Sequence, residues 1–206
     1  MRDRPLIIGI SGKKRHGKDM VSAYLAESGV LRVAFADELK RYAMELWDLS
    51  FEQMYGGDDI REVIDPRWGV TPRFIMQQFG TEVGRSVHKD TWVRKTLRLI
   101  DRAHGGSPVL LPDLVQRRFR EFQFEFGSGA ADVWSIPDCR FPDEADAVRA
   151  AGGVVIKIVR PSIVSNDTHA SEVGVDKVVG DYTIINDGTL DDLRAKVAAV
   201  ASQVLS

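Results

Sequence analysis

Cysteine is nearly absent: Cys139 is the one thiol in 206 residues. That excludes an intramolecular disulfide framework and suits a reducing compartment, so a cytoplasmic location is expected. Long hydrophobic runs are missing too. The apolar stretches are of strand length and broken by polar residues such as Lys157, so no membrane span and no membrane partner are expected. No secretory leader is expected either, because Met1-Arg2-Asp3-Arg4-Pro5 runs straight into the first apolar stretch. The formal net charge is only −2, which argues against an extended nucleic-acid surface. His16, His88, His104 and His169 lack zinc-site spacing, and no D-x-x-G or N-K-x-D signature of a GTPase switch occurs. What the chain does have is 44% hydrophobic residues, enough for one sizeable core and most simply a single domain over residues 1–206.

The most informative stretch follows the apolar run Leu6-Ile7-Ile8-Gly9-Ile10 and reads Gly12-Lys13-Lys14-Arg15-His16-Gly17-Lys18-Asp19. This is the spacing of a phosphate cradle, G-x-x-x-x-G-K-[ST]. Its glycines bring backbone N–H groups to a polyphosphate, its lysine reaches the β and γ phosphates, and the next helix adds its positive end. Gly12, Gly17 and Lys18 fit, whereas Asp19 stands where a Ser or Thr hydroxyl would ligate magnesium. Met20, Val21, Tyr24 and Leu25 share one helical face after the loop, and Gly29 is placed to end that helix. A glycine turn with solvated lysines would not need this strand before it and helix after it.

Strand-length apolar runs recur at 6–10, 31–35, 133–136, 154–159 and 182–186, with helical patterns between them. Val154-Val155-Ile156 lacks polar alternation, as expected of a parallel strand covered on both faces, so the rhythm predicts a parallel α/β sheet. Pro142-Asp143-Glu144 opens a helix that stops at Gly152-Gly153. Thr189 and Asp192 form a capping-box pattern before Leu190, Leu193, Val197, Val200 and Val204. Helices are also expected over 37–47, 72–79 and 92–103, as an excursion from the sheet suited to an acceptor-binding region, about 37–103. Gln116 to Phe122 reads as a basic, solvated surface helix.

Beyond the loop, several separated stretches resemble the deoxynucleoside monophosphate kinases of bacteriophage type. They are Gln77-Gln78-Phe79-Gly80-Thr81-Glu82 with Arg85 and Trp92-Val93, Asp138-Cys139-Arg140-Phe141-Pro142-Asp143-Glu144, and Val159-Arg160-Pro161. Ser165 to Glu172 and Ile185-Asn186-Asp187-Gly188-Thr189-Leu190 complete the set. An aspartate after the loop lysine is similar to that family's own habit. The resemblance implies a P-loop kinase fold, a five-stranded parallel sheet flanked by helices, and transfer of the γ-phosphoryl group of ATP to a deoxynucleoside 5′-monophosphate. It further implies that Gly12 to Asp19 hold ATP phosphates, and that Asn186, Asp187 and Gly188 lie near the ATP base. Gln77, Gly80, Thr81, Arg85 and Trp92 would surround the acceptor. Arg160 and the segment His169 to Glu172 would lead into a lid, about 161–176. A phage-encoded chain would act in its host's cytoplasm.

The residue types suit that chemistry. Lys18, with Arg15, Arg140 and Arg160, would neutralise phosphate oxygens, and arginine's planar fork can donate two hydrogen bonds to one phosphate. Asp138 follows an apolar run at a strand's C-terminal end, where it would orient Mg²⁺ directly or through water; Asp19 is the second metal candidate. Lys40 and Arg73 lie near helix starts where an acceptor phosphate would bind, with Arg140 and His169 also facing substrate. Partners are therefore small nucleotides, with a homodimer left open. Two rival readings stand beside this one: a kinase of the animal phosphomevalonate type, which also carries a Gly-Lys-Asp loop, and a nucleotide-binding switch without transferase activity.

Overall fold

The computed structural model describes residues 3–105, 132–163 and 170–206, with the side chains of 170 and 171 outside that description. The expected surface helix at 116–122 and His169 therefore lie outside the described residues. Five apolar segments form strands β1 (Leu6–Ser11), β2 (Leu31–Arg32), β3 (Val133–Ile136), β4 (Val154–Val159) and β5 (Tyr182–Ile185). They pair in the order β2-β3-β1-β4-β5, every pair parallel. β1 is central, with Ile8 opposite Ser135 on one side and Val154 on the other. All six of its residues are buried, the expected outcome for a strand without polar alternation. β2 is shorter than its apolar run, because Phe35 already begins a helix. Val33 N–H still donates to the Ser135 carbonyl at 3.0 Å.

Helices α1 (Lys18–Ala26), α2 (Phe35–Trp47), α3 (Phe51–Tyr55), α4 (Asp58–Arg61), α5 (Pro72–Gln77), α6 (Thr91–His104), α7 (Pro142–Ala150), α8 (Ala170–Lys177) and α9 (Leu190–Leu205) make up the rest, with a π-helical segment at Gln78–Arg85. Alternate residues of β1 serve opposite faces. Ile8 and Ile10 join Val21 and Leu25 of α1, Ile156 and Ile158 of β4, Ile184 of β5, and Leu193 and Val197 of α9 in one core cluster. Across the sheet, Gly9 lets α7 approach, with Val148 in contact range. Thr189 caps α9 as predicted, its hydroxyl accepting from Asp192 N–H at 3.2 Å while Asp192 accepts from Thr189 N–H at 2.9 Å. Cys139 is fully buried, and burial with Glu144 nearby pushes its thiol pKa well up, which disfavours the thiolate. Among the described residues no helix is long and apolar enough to cross a membrane.

Backbone contacts divide the chain into two compact units, residues 1–34 with 97–206, and residues 35–96. The first holds the sheet. The second contains α2 to α5, the π-helical segment and the start of α6. Its core is Ala43, Leu49, Met54 and Ile75, with Trp47 and Phe79 packed edge to face against one another. Short helices α3 and α4 were not foreseen in the sequence. α3 is held by a capping box between Ser50 and Gln53 rather than by apolar periodicity.

Buried Asp65 ties this unit together. It accepts from Arg67 Nη2 at 2.7 Å and from Gln53 Nε2 at 2.8 Å, and Arg67 Nη1 continues to the Asp48 carbonyl at 2.8 Å. The Arg67 hydrogen bonds, then Gln53, hold the Asp65 carboxyl far below the ordinary carboxylate range. Its stabilising contribution is present above the usual carboxylate pKa and lost as pH falls through the lowered folded value. Asp65→Asn is expected to lower the neutral-pH Tm and to flatten its fall on acidification, as read by circular dichroism melts at stepped pH.

Candidate functional site

The loop between β1 and α1 owes its shape to two glycines and the strand ends beneath it. A Cβ on Gly12 would stand 2.6 Å from Ile158 Cγ2 and 2.8 Å from the Ile158 carbonyl oxygen, so the loop lies on the backbone of β4. Gly17 has φ 105°, and Arg15, at φ 65°, also adopts the left-handed conformation. Between them His16 turns inward, 6% exposed, its Nδ1 accepting from Arg160 N–H at 3.3 Å. Buried Asn186, just past β5, donates from Nδ2 to the His16 carbonyl at 2.9 Å. His16 and Asn186 thus brace the loop from below, while Lys14 and Arg15 are exposed.

Lys18 is the first residue of α1, and its ammonium folds back to donate to the Lys13 carbonyl at 2.8 Å. Burial, then the Arg140 charge, lowers its pKa, opposed by Glu172, Asp19 and Asp138. Those five groups therefore share one electrostatic neighbourhood. Asp138 follows β3 and is half-buried; Arg140 N–H and Phe141 N–H both donate to Glu144 Oε2, at 2.7 and 3.1 Å, which holds the start of α7 in place. The Asp19 carboxylate is 88% exposed, 3.5 Å from Arg32 Nη2. Among the described residues no cluster of three or more His, Cys, Asp or Glu could hold a metal by itself. Lys13 is paired with Asp176 of α8 at 2.9 Å. Asp187 is paired with Lys196 at 2.6 Å, which lowers its pKa, and Gly188 lies against Asp192. The Arg160 side chain is exposed.

The second unit holds the other candidates. Lys40 lies over the Tyr55 ring at 4.0 Å, and Arg73, in the first turn of α5, is ion-paired with Asp58 and Glu62. Gln77 ends α5, and Gly80, Thr81 and Arg85 belong to the π-helical segment, a departure that frequently marks functional sites. The helix expected over 72–79 ends where this segment begins, because the wider turn is set by what packs on it. Trp92 supplies that packing: its indole N–H donates to the Gly80 carbonyl at 2.9 Å and its ring meets Phe79 at 5.7 Å. Trp92→Phe leaves that buried carbonyl without its donor and is expected to cost about 1–3 kcal/mol, measured by urea unfolding. Glu172, on a helix that periodicity did not reveal, is the contributor to the loop that residue-level reading missed. Its signal in the sequence is its place in the Ser165 to Glu172 stretch.

A family model described as deoxynucleotide monophosphate kinase matches residues 115–197. A protein of Acanthamoeba polyphaga mimivirus, provisionally named deoxynucleotide monophosphate kinase, is 33% identical over 198 residues, covering 93% of this chain and 94% of the relative. The deoxynucleotide monophosphate kinase of Enterobacteria phage T4 is 33% identical over 141 residues, 68% of this chain, which spans about half (48%) of the phage protein. Among solved structures, TT1252 from Thermus thermophilus is similar with a TM-score of 0.46 and 16% identity, covering 98% of this chain and 99% of that one. With the mimivirus protein matched over nearly its whole length, the chain belongs to the deoxynucleotide monophosphate kinase family.

Proposed function

We propose that the chain transfers the γ-phosphoryl group of ATP to a deoxynucleoside 5′-monophosphate, giving the diphosphate and ADP. The observation that supports it most is the loop itself: two glycines at the end of the central strand, and Lys18 heading α1 among Arg140 and Asp138. The names of the relatives supply the acceptor class. An acceptor phosphate is ionised for much of the time at neutral pH, its second pKa being about 6, so no strong general base is needed. A phosphate oxygen of the acceptor attacks Pγ, the bond from Pγ to the bridging oxygen breaks, and ADP leaves with that electron pair. The protein's task is to place two polyanions in line and to neutralise charge. In this reading Lys18 contacts the β and γ phosphates, with Arg15, Arg140 and Arg160 supplying further cationic donors, and the burial of Lys18 strengthens its own contact.

Mg²⁺ would be held by the phosphates together with Asp138 more readily than Asp19, and supplies charge neutralisation when bound. The absence of a multi-carboxylate cage among the described residues fits a metal carried chiefly by phosphates. We assign the acceptor to Gln77, Gly80, Thr81, Arg85 and Trp92, with Lys40 and Arg73. Arg73 can reach a phosphate only by exchanging its Asp58 and Glu62 partners. Asn186 to Gly188 border the ATP base in this reading, residues 161–176 form the lid, and the whole chain acts as one kinase domain.

A coupled ADP-release assay with ATP, Mg²⁺ and a panel of acceptors tests it. ADP release that depends on deoxynucleoside monophosphates is expected. Release dependent on phosphomevalonate instead, or equal release with and without acceptor, overturns the assignment.

A further inference from the structure

A buried carboxylate already stands on the positive side of the phosphate loop. Glu172 Oε2 accepts from the Lys14 backbone N–H at 3.0 Å, and Oε1 lies 3.9 Å from Arg140 Nη1. Its charge also acts on Lys18. The residue is only 6% exposed. Helix α8 is clamped in that position: Asp176, one turn on, pairs with Lys13, and Gly174 lies so close to the Arg140 backbone that a Cβ would be 2.8 Å from its carbonyl oxygen. One loop amide thus donates to this acid and an arginine is ion-paired with it, the kinds of group that bind a phosphate oxygen.

We propose that Glu172 is a built-in phosphate surrogate, whose carboxylate fills the anion place at the Lys14 amide and is displaced by a phosphate oxygen of the incoming nucleotide. The proposal rests on the reading of the loop as a triphosphate site. The two anions cannot share the place, because like charges about 4 Å apart repel strongly where water is excluded. The loop keeps its shape without nucleotide, and its apparent affinity is the intrinsic one scaled by the fraction of molecules in which the carboxylate has withdrawn.

Tripolyphosphate, titrated calorimetrically in EDTA at low salt, is the probe. Glu172→Gln, which keeps the shape and removes the charge, is expected to bind it about tenfold more tightly than wild type, as for a surrogate in place in about nine molecules of ten. Glu172→Ala is expected to gain similarly, and guards against a Gln variant that folds poorly. In wild type the Lys14 amide resonance is expected to shift on titration as its acceptor changes. Unchanged or weaker binding in the folded variants, or an unmoved Lys14 resonance while wild type binds, overturns the surrogate and leaves the loop reading standing. No binding by wild type removes the loop reading and the surrogate with it.

Discussion

Lys18→Ala is expected to lower kcat by about 10²- to 10⁴-fold, the scale of losing a charged group that acts on the transferring phosphate. The fold should survive. Lys18 contributes one hydrogen bond to the Lys13 carbonyl, and its burial beside Arg140 disfavours the charged form. A Tm within a few degrees of wild type is therefore expected, since a net hydrogen bond contributes about 1 kcal/mol. The lowered pKa carries its own signature. Between the folded value and the ordinary 10.5, the unfolded chain binds the proton that the native state has released, so native stability rises with pH across that window. Lys18→Ala is expected to lack this increment, seen by comparing melts of the two proteins from neutral pH upward. A variant that retained full kcat would remove Lys18 from the chemistry.

Gly12→Ala tests the shape of the loop and leaves its charge alone. The new methyl would meet both Ile158 Cγ2 and the Ile158 carbonyl oxygen at under 3 Å. That carbonyl belongs to β4, paired with β1 on one side and β5 on the other, so the strand cannot yield cheaply and the loop must lift. Overpacking of this kind costs about 1–3 kcal/mol, roughly 2–12 °C in Tm for a chain of this size. Lifting the loop also moves the backbone amides that the proposed reading gives to the ATP phosphates. Affinity for ATP is expected to fall by about 100-fold or more, two charge-assisted hydrogen bonds' worth, measured by calorimetry on protein whose far-ultraviolet spectrum is native. Wild-type ATP affinity in this variant would show that the loop does not rely on close approach to β4.

Local chemistry made much of the molecule legible beforehand. Each of the five apolar runs contains a strand, that at 31–35 only over Leu31–Arg32, and the central one is continuously apolar because it is buried on both faces; Thr189 with Asp192 announces α9 through a cap that depends on neighbours in sequence. The same locality explains what was missed. α3 rests on one capping box, the π-helical turn on a tryptophan twelve residues away, and α8 carries no apolar stripe to reveal it. The bond from the Asn186 amide to the His16 carbonyl, 170 residues distant in the chain, has no signal in the sequence around either residue.

By itself the sequence determined the parallel sheet and the glycine loop after β1, because burial pattern, glycine spacing and cap residues act over a few neighbouring positions, while its separated motifs carried the resemblance to the family. Only the tertiary structure decided which charges meet at Lys18, that Asn186 and His16 brace the loop, and that Glu172 stands at the Lys14 amide. Adjacent Asp19 aside, those pairings join residues some 120 to 170 positions apart, and the sheet order that brings the ends of β1, β3, β4 and β5 to one edge is what makes them neighbours.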